Sequence, residues 1–153
     1  MSEQAFPPAD PAGFLNLCAG EWMSLRSTFD LAAGGDDDWH NSERGELTVR
    51  CDSLEASLGQ LVVQAPGGLS TSLAFAAGGE LVVDGAPAGH WRFWPDGSME
   101  LNLNRDDGVC VQERIWFTRA NLRLRSTTAM GADGNPLQGS FCTDIRRVSK
   151  PAA

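Results

Sequence analysis

No apolar run in this chain approaches the roughly 18 to 20 residues a helix needs to cross a bilayer. The head MSEQAFPPADPAG also lacks the basic and apolar regions of an export signal. A cytoplasmic protein without a membrane span is the expectation. Histidine is confined to His40 and His90, and Cys18, Cys51, Cys110 and Cys142 lie far apart with no CxxC pair, so the usual zinc spacings cannot be assembled. No metal site is expected, and the cysteines read as buried reduced thiols. The motifs G-x-x-x-x-G-K, G-x-S-x-G and H-E-x-x-H are all absent, and neither histidine has an identifiable nucleophile partner, which argues against a hydrolase triad. Asp36-Asp37-Asp38 lacks the glycine and distal glutamate of a calcium loop and reads as a solvated loop. Lysine is nearly missing, since Lys150 is the only one among 12 basic residues. Acidic residues outnumber basic ones 20 to 12, and a net charge of -8 excludes a protein that tracks phosphate backbones.

What is present suits one domain over residues 1–153, with 42% hydrophobic residues and flexible ends at 1–9 and 148–153. Asp10-Pro11 reads as an N-cap followed by Pro at the first helical position, and Phe14, Leu15, Leu17 and Cys18 give a short helix its apolar side. Beyond Glu21 turn signals recur about every ten residues, among them Gly34-Gly35, Asp84-Gly85, Pro95-Asp96-Gly97 and Asp106-Asp107-Gly108. Between them the period-two pattern predicts strands at 21–32, 43–52, 58–64, 69–76, 80–84, 88–95, 98–105, 109–117, 121–130 and 138–147. Ten consecutive strands after one small helix predict an all-β, up-and-down antiparallel barrel, because closure removes the edges of an open sheet. A barrel of this kind can hold one small ligand. A ten-stranded sandwich satisfies the same periodicity.

The chemistry concentrates in residues 109–127. One face of the first strand there carries Val109, Val111, Glu113, Ile115 and Phe117, so a carboxylate interrupts an apolar row. On the next strand Arg123, Arg125 and Thr127 share a face. A three-residue loop at 118–120 places 115 opposite 123 and 113 opposite 125, which pairs Glu113 with Arg125 beside Arg123. On the outside such a pair is worth only about 0.2 to 1 kcal/mol. Inside a barrel the desolvation cost is several kcal/mol, and the excess arginine demands an anionic partner. The first strand aligns Trp22, Ser24, Arg26, Thr28 and Asp30, a face that is either solvated or suited to a planar conjugated ligand by stacking and cation-π contact. The last strand aligns Cys142, Asp144 and Arg146, where Asp144 and Arg146 read as a surface ion pair.

These residues carry a resemblance. Gly20-Glu21-Trp22-Met23-Ser24-Leu25-Arg26-Ser27-Thr28 resembles the opening G-x-W-x-S-x-R-x-T of the CpcS/CpeS-type phycobiliprotein lyases. Glu113-Arg114-Ile115-Trp116-Phe117, Asn121-Leu122-Arg123-Leu124-Arg125 and Ser140-Phe141-Cys142-Thr143-Asp144-Ile145-Arg146 are similar to that family's E-R-x-W-F, N-L-R-L-R and S-F-C-S-E-I-R signatures, in the same order. Around 69–75 the chain departs from the pattern, since many members carry tryptophans there and only Phe75 is aromatic here.

The resemblance implies a lipocalin-like barrel and an enzyme, a bilin lyase. Its substrate would be an open-chain tetrapyrrole, phycocyanobilin or phycoerythrobilin, which it presents to a cysteine of an apo-phycobiliprotein for thioether attachment. No permanently bound cofactor is implied. Carried over by position, Glu113 matches the acid at the pyrroles, Arg123 and Arg125 the paired cavity arginines, and Arg26 and Trp22 the first-strand pair. Thr127 matches a hydroxyl position, and Asp144 stands in place of the usual Glu. Glu113, Arg123 and Arg125 are the expected catalytic group. A homodimer, or a heterodimer with a related subunit, is implied, in a cyanobacterial cytoplasm or plastid stroma. Two other readings remain open: a fatty-acid-binding-like carrier whose arginines hold one lipid carboxylate, and an auxiliary subunit of a heterodimeric lyase.

Overall fold

The computed structural model describes residues 6–31, 40–53, 57–65 and 67–148. One helix, α1 (Pro11–Cys18), precedes ten strands: β1 (Gly20–Asp30), β2 (His40–Asp52), β3 (Ser57–Gln64), β4 (Ser70–Ala76), β5 (Glu80–Val83), β6 (Ala86–Phe93), β7 (Met99–Asn104), β8 (Cys110–Arg119), β9 (Leu122–Met130) and β10 (Pro136–Arg146). Every strand pairs antiparallel with its chain neighbours, and β1 closes against β10, so the sheet is a complete barrel and not a sandwich. All ten expected strands are present, with ends displaced by a few residues. Gly34-Gly35 and Asp36-Asp37-Asp38 fall outside the described residues.

An eight-residue helix is too short to persist alone, and α1 forms because its ends and its apolar side are all engaged. Asp10 Oδ1 accepts from the Gly13 N–H at 2.7 Å, and Pro11 starts the first turn. Phe14, Leu15, Leu17 and Cys18 are buried where the helix plugs one end of the barrel. Phe14 meets Phe117 edge-on at 5.3 Å between centroids and Phe93 at 6.2 Å. Gly59 permits this close approach: it adopts φ 149°, and a Cβ there would lie 3.2 Å from Leu15. At the other end of the helix Arg146 donates to the carbonyls of Leu17 and Ala19, a cation where the helix dipole favours one. Ahead of the helix, Pro8 is buried with its carbonyl close to Gly97.

The interior is divided. Within strands β3 to β8 themselves the buried side chains are apolar, including Leu61, Phe75, Leu81, Met99, Leu101 and Ile115. The arc formed by β9, β10 and β1 instead turns Arg123, Asp144, Cys142 and Ser24 inward, all buried. Trp22 of this arc is buried with them, whereas Leu25 and Phe141 face out, 42% and 43% exposed. The polar row of the first strand is therefore the inner one near the helix, and Asp144 is no surface residue. Among the four thiols, all free, Cys18 and Cys142 are buried as expected, whereas Cys51 is half-buried and Cys110 exposed. Among the described residues, no helix is long and apolar enough to cross a membrane.

Candidate functional site

A cavity of about 190 Å³ lies where the two halves of the interior meet. Leu47, Val49, Leu61, Val63, Leu73, Phe75, Met99, Leu101 and Ile115 form its apolar wall, Phe14 of α1 also reaches it, and Glu113, Arg123 and Arg125 form its polar side. The hairpin that carries the charges is built differently from the expected three-residue loop. Phe117 pairs with Arg123 and Ile115 with Arg125, and a bulge between Phe117 and Arg119 shifts the register, leaving Glu113 opposite Thr127. The displacement is two residues, so every side chain keeps its face. Glu113 consequently reaches Arg125 diagonally, with Oε1 3.5 Å from Nη1.

The excess of arginine expected inside the barrel is not there, because Asp144 supplies the second carboxylate. Asp144 Oδ2 accepts from Arg123 Nε at 2.9 Å and from Arg125 Nε at 2.7 Å, while Oδ1 accepts from Arg125 Nη2 at 3.2 Å. Two guanidinium groups thus face two carboxylates, and the cluster is neutral. The register between β9 and β10 sets Arg123 opposite Asp144, which the sequence face alone did not reveal. Arg146, the expected partner of Asp144, is occupied instead by the carbonyls of Leu17, Ala19 and Ala120. Burial works against ionised Asp144, but the charges of Arg123 and Arg125 overcome it and hold the carboxyl below its ordinary range. Burial likewise disfavours the Arg125 cation, and Asp144 and Glu113 reverse that by holding its pKa above the ordinary value.

The remaining expected residues are distributed around this cluster. Trp22 does not reach the cavity. It is fully buried in the floor, its Nε1 donates to the Cys18 carbonyl at 2.9 Å, and the guanidinium carbons of Arg123 and Arg146 lie 4.9 Å and 4.2 Å from its ring centre. The cation-π contact expected of this tryptophan exists, but with the protein's own arginines. Arg26 is exposed and donates from Nε to Cys142 Sγ at 3.2 Å, and Glu43 is its partner across β1 and β2. Thr127 is half-buried opposite Glu113 and Ser140. Of the seven residues singled out, the cavity wall contains Glu113, Arg123 and Arg125; Asp144 backs the two arginines. Ser24, whose Oγ accepts from Arg125 Nη2 at 3.3 Å, belongs to the site although the sequence marked it only as a member of the first-strand face. The apolar wall was visible only as alternating strand residues.

The chain is similar to known proteins over most of its length. The family model described as CpeS-like protein matches residues 84–147. A protein of Paulinella chromatophora named chromophore lyase CpcS/CpeS 1 is 42% identical over 146 residues, which is 95% of this chain and 92% of that protein. The chromophore lyase CpcS/CpeS of Thermosynechococcus vestitus is 36% identical over 66 residues, covering 42% of this chain and 35% of that one. The solved S-type phycobiliprotein lyase of Guillardia theta has the same fold, with a TM-score of 0.68 at 23% identity over 90% of this chain and 92% of that one. With the signature strands in order, the barrel closed around them and a relative matched nearly end to end, the chain belongs to the CpcS/CpeS chromophore lyase family.

Proposed function

We propose that this chain is a bilin lyase: it binds an open-chain tetrapyrrole in the barrel and presents it to a cysteine of an apo-phycobiliprotein. The observation that supports this most is the divided interior, with an apolar wall facing Glu113 and Arg125 across one cavity. A bilin is a conjugated sheet with pyrrole N–H groups along one edge and two propionates. Among the described residues Glu113 has one ion-pair partner, Arg125, and keeps lone pairs to accept pyrrole N–H bonds. Arg125 fixes Glu113 and is itself fixed by Asp144 and Ser24. The propionates fall to Arg26, which is exposed and whose side chain, among the described residues, bonds only Cys142.

Attachment needs no group from this chain that bonds to the substrate. The acceptor thiol adds across the exocyclic ethylidene double bond: the S–H bond breaks, an S–C bond forms, and the proton ends on the bilin. Nothing leaves and no oxidant takes part. The chain contributes position, conformation and shielding from water. At about 190 Å³ the cavity is smaller than the ~300 Å³ at which enclosed ligand sites begin, so the tetrapyrrole extends from it toward Arg26 and leaves one ring for the acceptor.

A lipid carrier needs an inward arginine free to hold a single carboxylate. Asp144 and Glu113 together neutralise Arg123 and Arg125, which favours the bilin reading. The reading carries with it a phycobilin substrate, an apo-phycobiliprotein partner in the cyanobacterial cytoplasm or plastid stroma, and action alone, as a homodimer or with a related subunit. Titrating the protein with free phycocyanobilin should shift and sharpen the visible band. Co-expression with bilin-making enzymes and apo-phycobiliprotein subunits should give an acceptor that stays fluorescent with zinc after denaturation. An unchanged band together with no chromophore on any acceptor would overturn the proposal.

A further inference from the structure

Between β2 and β3 the barrel wall opens, and the geometry of that opening follows from the strand registers. Glu21 accepts the Arg147 N–H at 2.8 Å and Leu31 donates to the Leu137 carbonyl at 2.9 Å, so odd-numbered residues of β1 direct their backbone groups at β10 and even-numbered ones at β2. Trp22 lies opposite Leu47, Ser24 opposite Gly45 and Arg26 opposite Glu43. Those β2 residues therefore bond to β1, and Ser42, Arg44 and Glu46 aim N–H and C=O at the other edge. On that edge β3 has already ended. Its pairing with β2 stops at Thr48 and Gln64, and the chain turns back with the Ala65 N–H on the Leu69 carbonyl at 2.8 Å. Among the described residues nothing pairs with the β2 edge from Ser42 to Glu46.

An unpaired edge is a template for another strand, and proteins guard such edges by keeping them short and charged. This one is short and carries Glu43, Arg44 and Glu46, with Glu46 held by Arg147. Two features distinguish it from a guarded edge alone. A groove of about 410 Å³ runs beside it, lined by Ser24, Arg26, Gly45 and Leu47, and Leu47 is also part of the cavity wall. Gly45 leaves the groove open, since a Cβ built there meets nothing within 4 Å. The turn that ends β3 adds Leu69, 76% exposed, an apolar contact at the same opening.

We propose that the β2 edge at Ser42, Arg44 and Glu46 receives an extended, thiol-bearing segment of the acceptor protein as an added strand. This rests on the lyase reading and names how its partner docks. Backbone pairing at the edge gives register without demanding a particular sequence, and alternate side chains of the added strand point into the groove. A cysteine beside Gly45 then passes into the barrel next to Arg26 and the end of a bilin seated against Glu113. Leu47, which borders both the groove and the cavity, sets this edge beside the bilin site, and that favours an acceptor segment over a second copy of this chain, which would cover the groove.

Residue-resolved amide exchange of the full chain by NMR, alone and with recombinant apo-phycobiliprotein α and β subunits, tests this directly. The expected result is slowed exchange at Ser42, Arg44 and Glu46 when an acceptor subunit is present. Arg44→Pro removes the central edge N–H, at a position where an edge strand tolerates proline; Arg44→Ala is its control. Chromophore transfer should fall about tenfold or more in Arg44→Pro and not in Arg44→Ala, with bilin titration unchanged in both. Ser42→Pro replaces Arg44→Pro if that variant does not fold. No added protection with any subunit, or transfer at the parent rate in the proline variant, would overturn the docking proposal. So would protection in the protein alone that grows with its concentration, which would mean a second copy holds the edge. Failure of the lyase reading shows separately, as absent bilin binding in the parent chain.

Discussion

Arg125 holds its Nε 2.7 Å from Asp144 Oδ2, and the same oxygen takes Arg123 at 2.9 Å, so one buried carboxylate organises both cavity arginines. Removing Asp144 leaves Arg123 charged and buried with no carboxylate partner among the described residues, and leaves Arg125 with Glu113 alone. Asp144→Asn should therefore destabilise the fold by about 3 to 5 kcal/mol, a large share of a domain's ~5 to 15 kcal/mol. Urea denaturation at neutral pH measures this, and a loss under 1 kcal/mol would show that the arginines relax to solvent.

The same carboxylate gives the stability a pH signature. Asp144 is held below its ordinary value of 3.8 in the folded state, so its contribution is fully present above the unfolded value and disappears as pH falls through the folded one. Asp96, Glu100 and Asp133 are lowered as well, Asp96 chiefly by its hydrogen bonds with Ser98, and contribute in the same direction. The parent should lose stability on acidification below about pH 4 more steeply than Asp144→Asn, and the difference between the two curves isolates Asp144. Parallel urea midpoints across that range would contradict the assignment.

How much of this the sequence disclosed depends on which step is asked for. Turn residues such as Asp84-Gly85 and Pro95-Asp96-Gly97 marked the strands because turn chemistry is local. Glu113 inside an apolar row marked the cavity because a charge on a buried face is unusual. What could not be read was which residue neutralises Arg123 and Arg125, since Asp144 is brought to them by the register between β9 and β10 and not by spacing along one strand. Trp22 illustrates a different limit. Its type and face suggested a ligand contact, yet Arg146, from the far end of the chain, joins Arg123 against its ring and takes it into the floor.

The position of Trp22 makes it a support of the site. Trp22→Phe keeps most of the ring volume but loses the bond from Nε1 to the Cys18 carbonyl, which should cost about 1 to 3 kcal/mol. Bilin affinity measured below the melting transition should stay within a few fold of the parent. A large loss of affinity with unchanged stability would mean that the tryptophan touches the ligand after all.

Arg123 and Arg125 should separate in the same way. Arg123 is 5% exposed between Trp22 and Asp144, and its replacement by Ala should appear mainly as lost stability. Arg125 fixes Glu113, so Arg125→Gln should weaken bilin binding by about 1 to 3 kcal/mol, the scale of charge-assisted hydrogen bonds. Spectral titration of both variants at a temperature where each is folded distinguishes them, and equal affinity to the parent in Arg125→Gln would remove Glu113 and Arg125 from the site.

The last expectation concerns the apolar wall. Thr71 lines the cavity yet is exposed, so a larger side chain there can enter the cavity without displacing the core. Thr71→Trp directs a bulky ring into the cavity from β4. If the tetrapyrrole is seated in the cavity, this variant should lose the bilin-induced band shift while keeping the parent's melting temperature within the few degrees that a surface substitution moves it. If it binds bilin like the parent, the chromophore lies outside the barrel, and the small size of the cavity would be the reason.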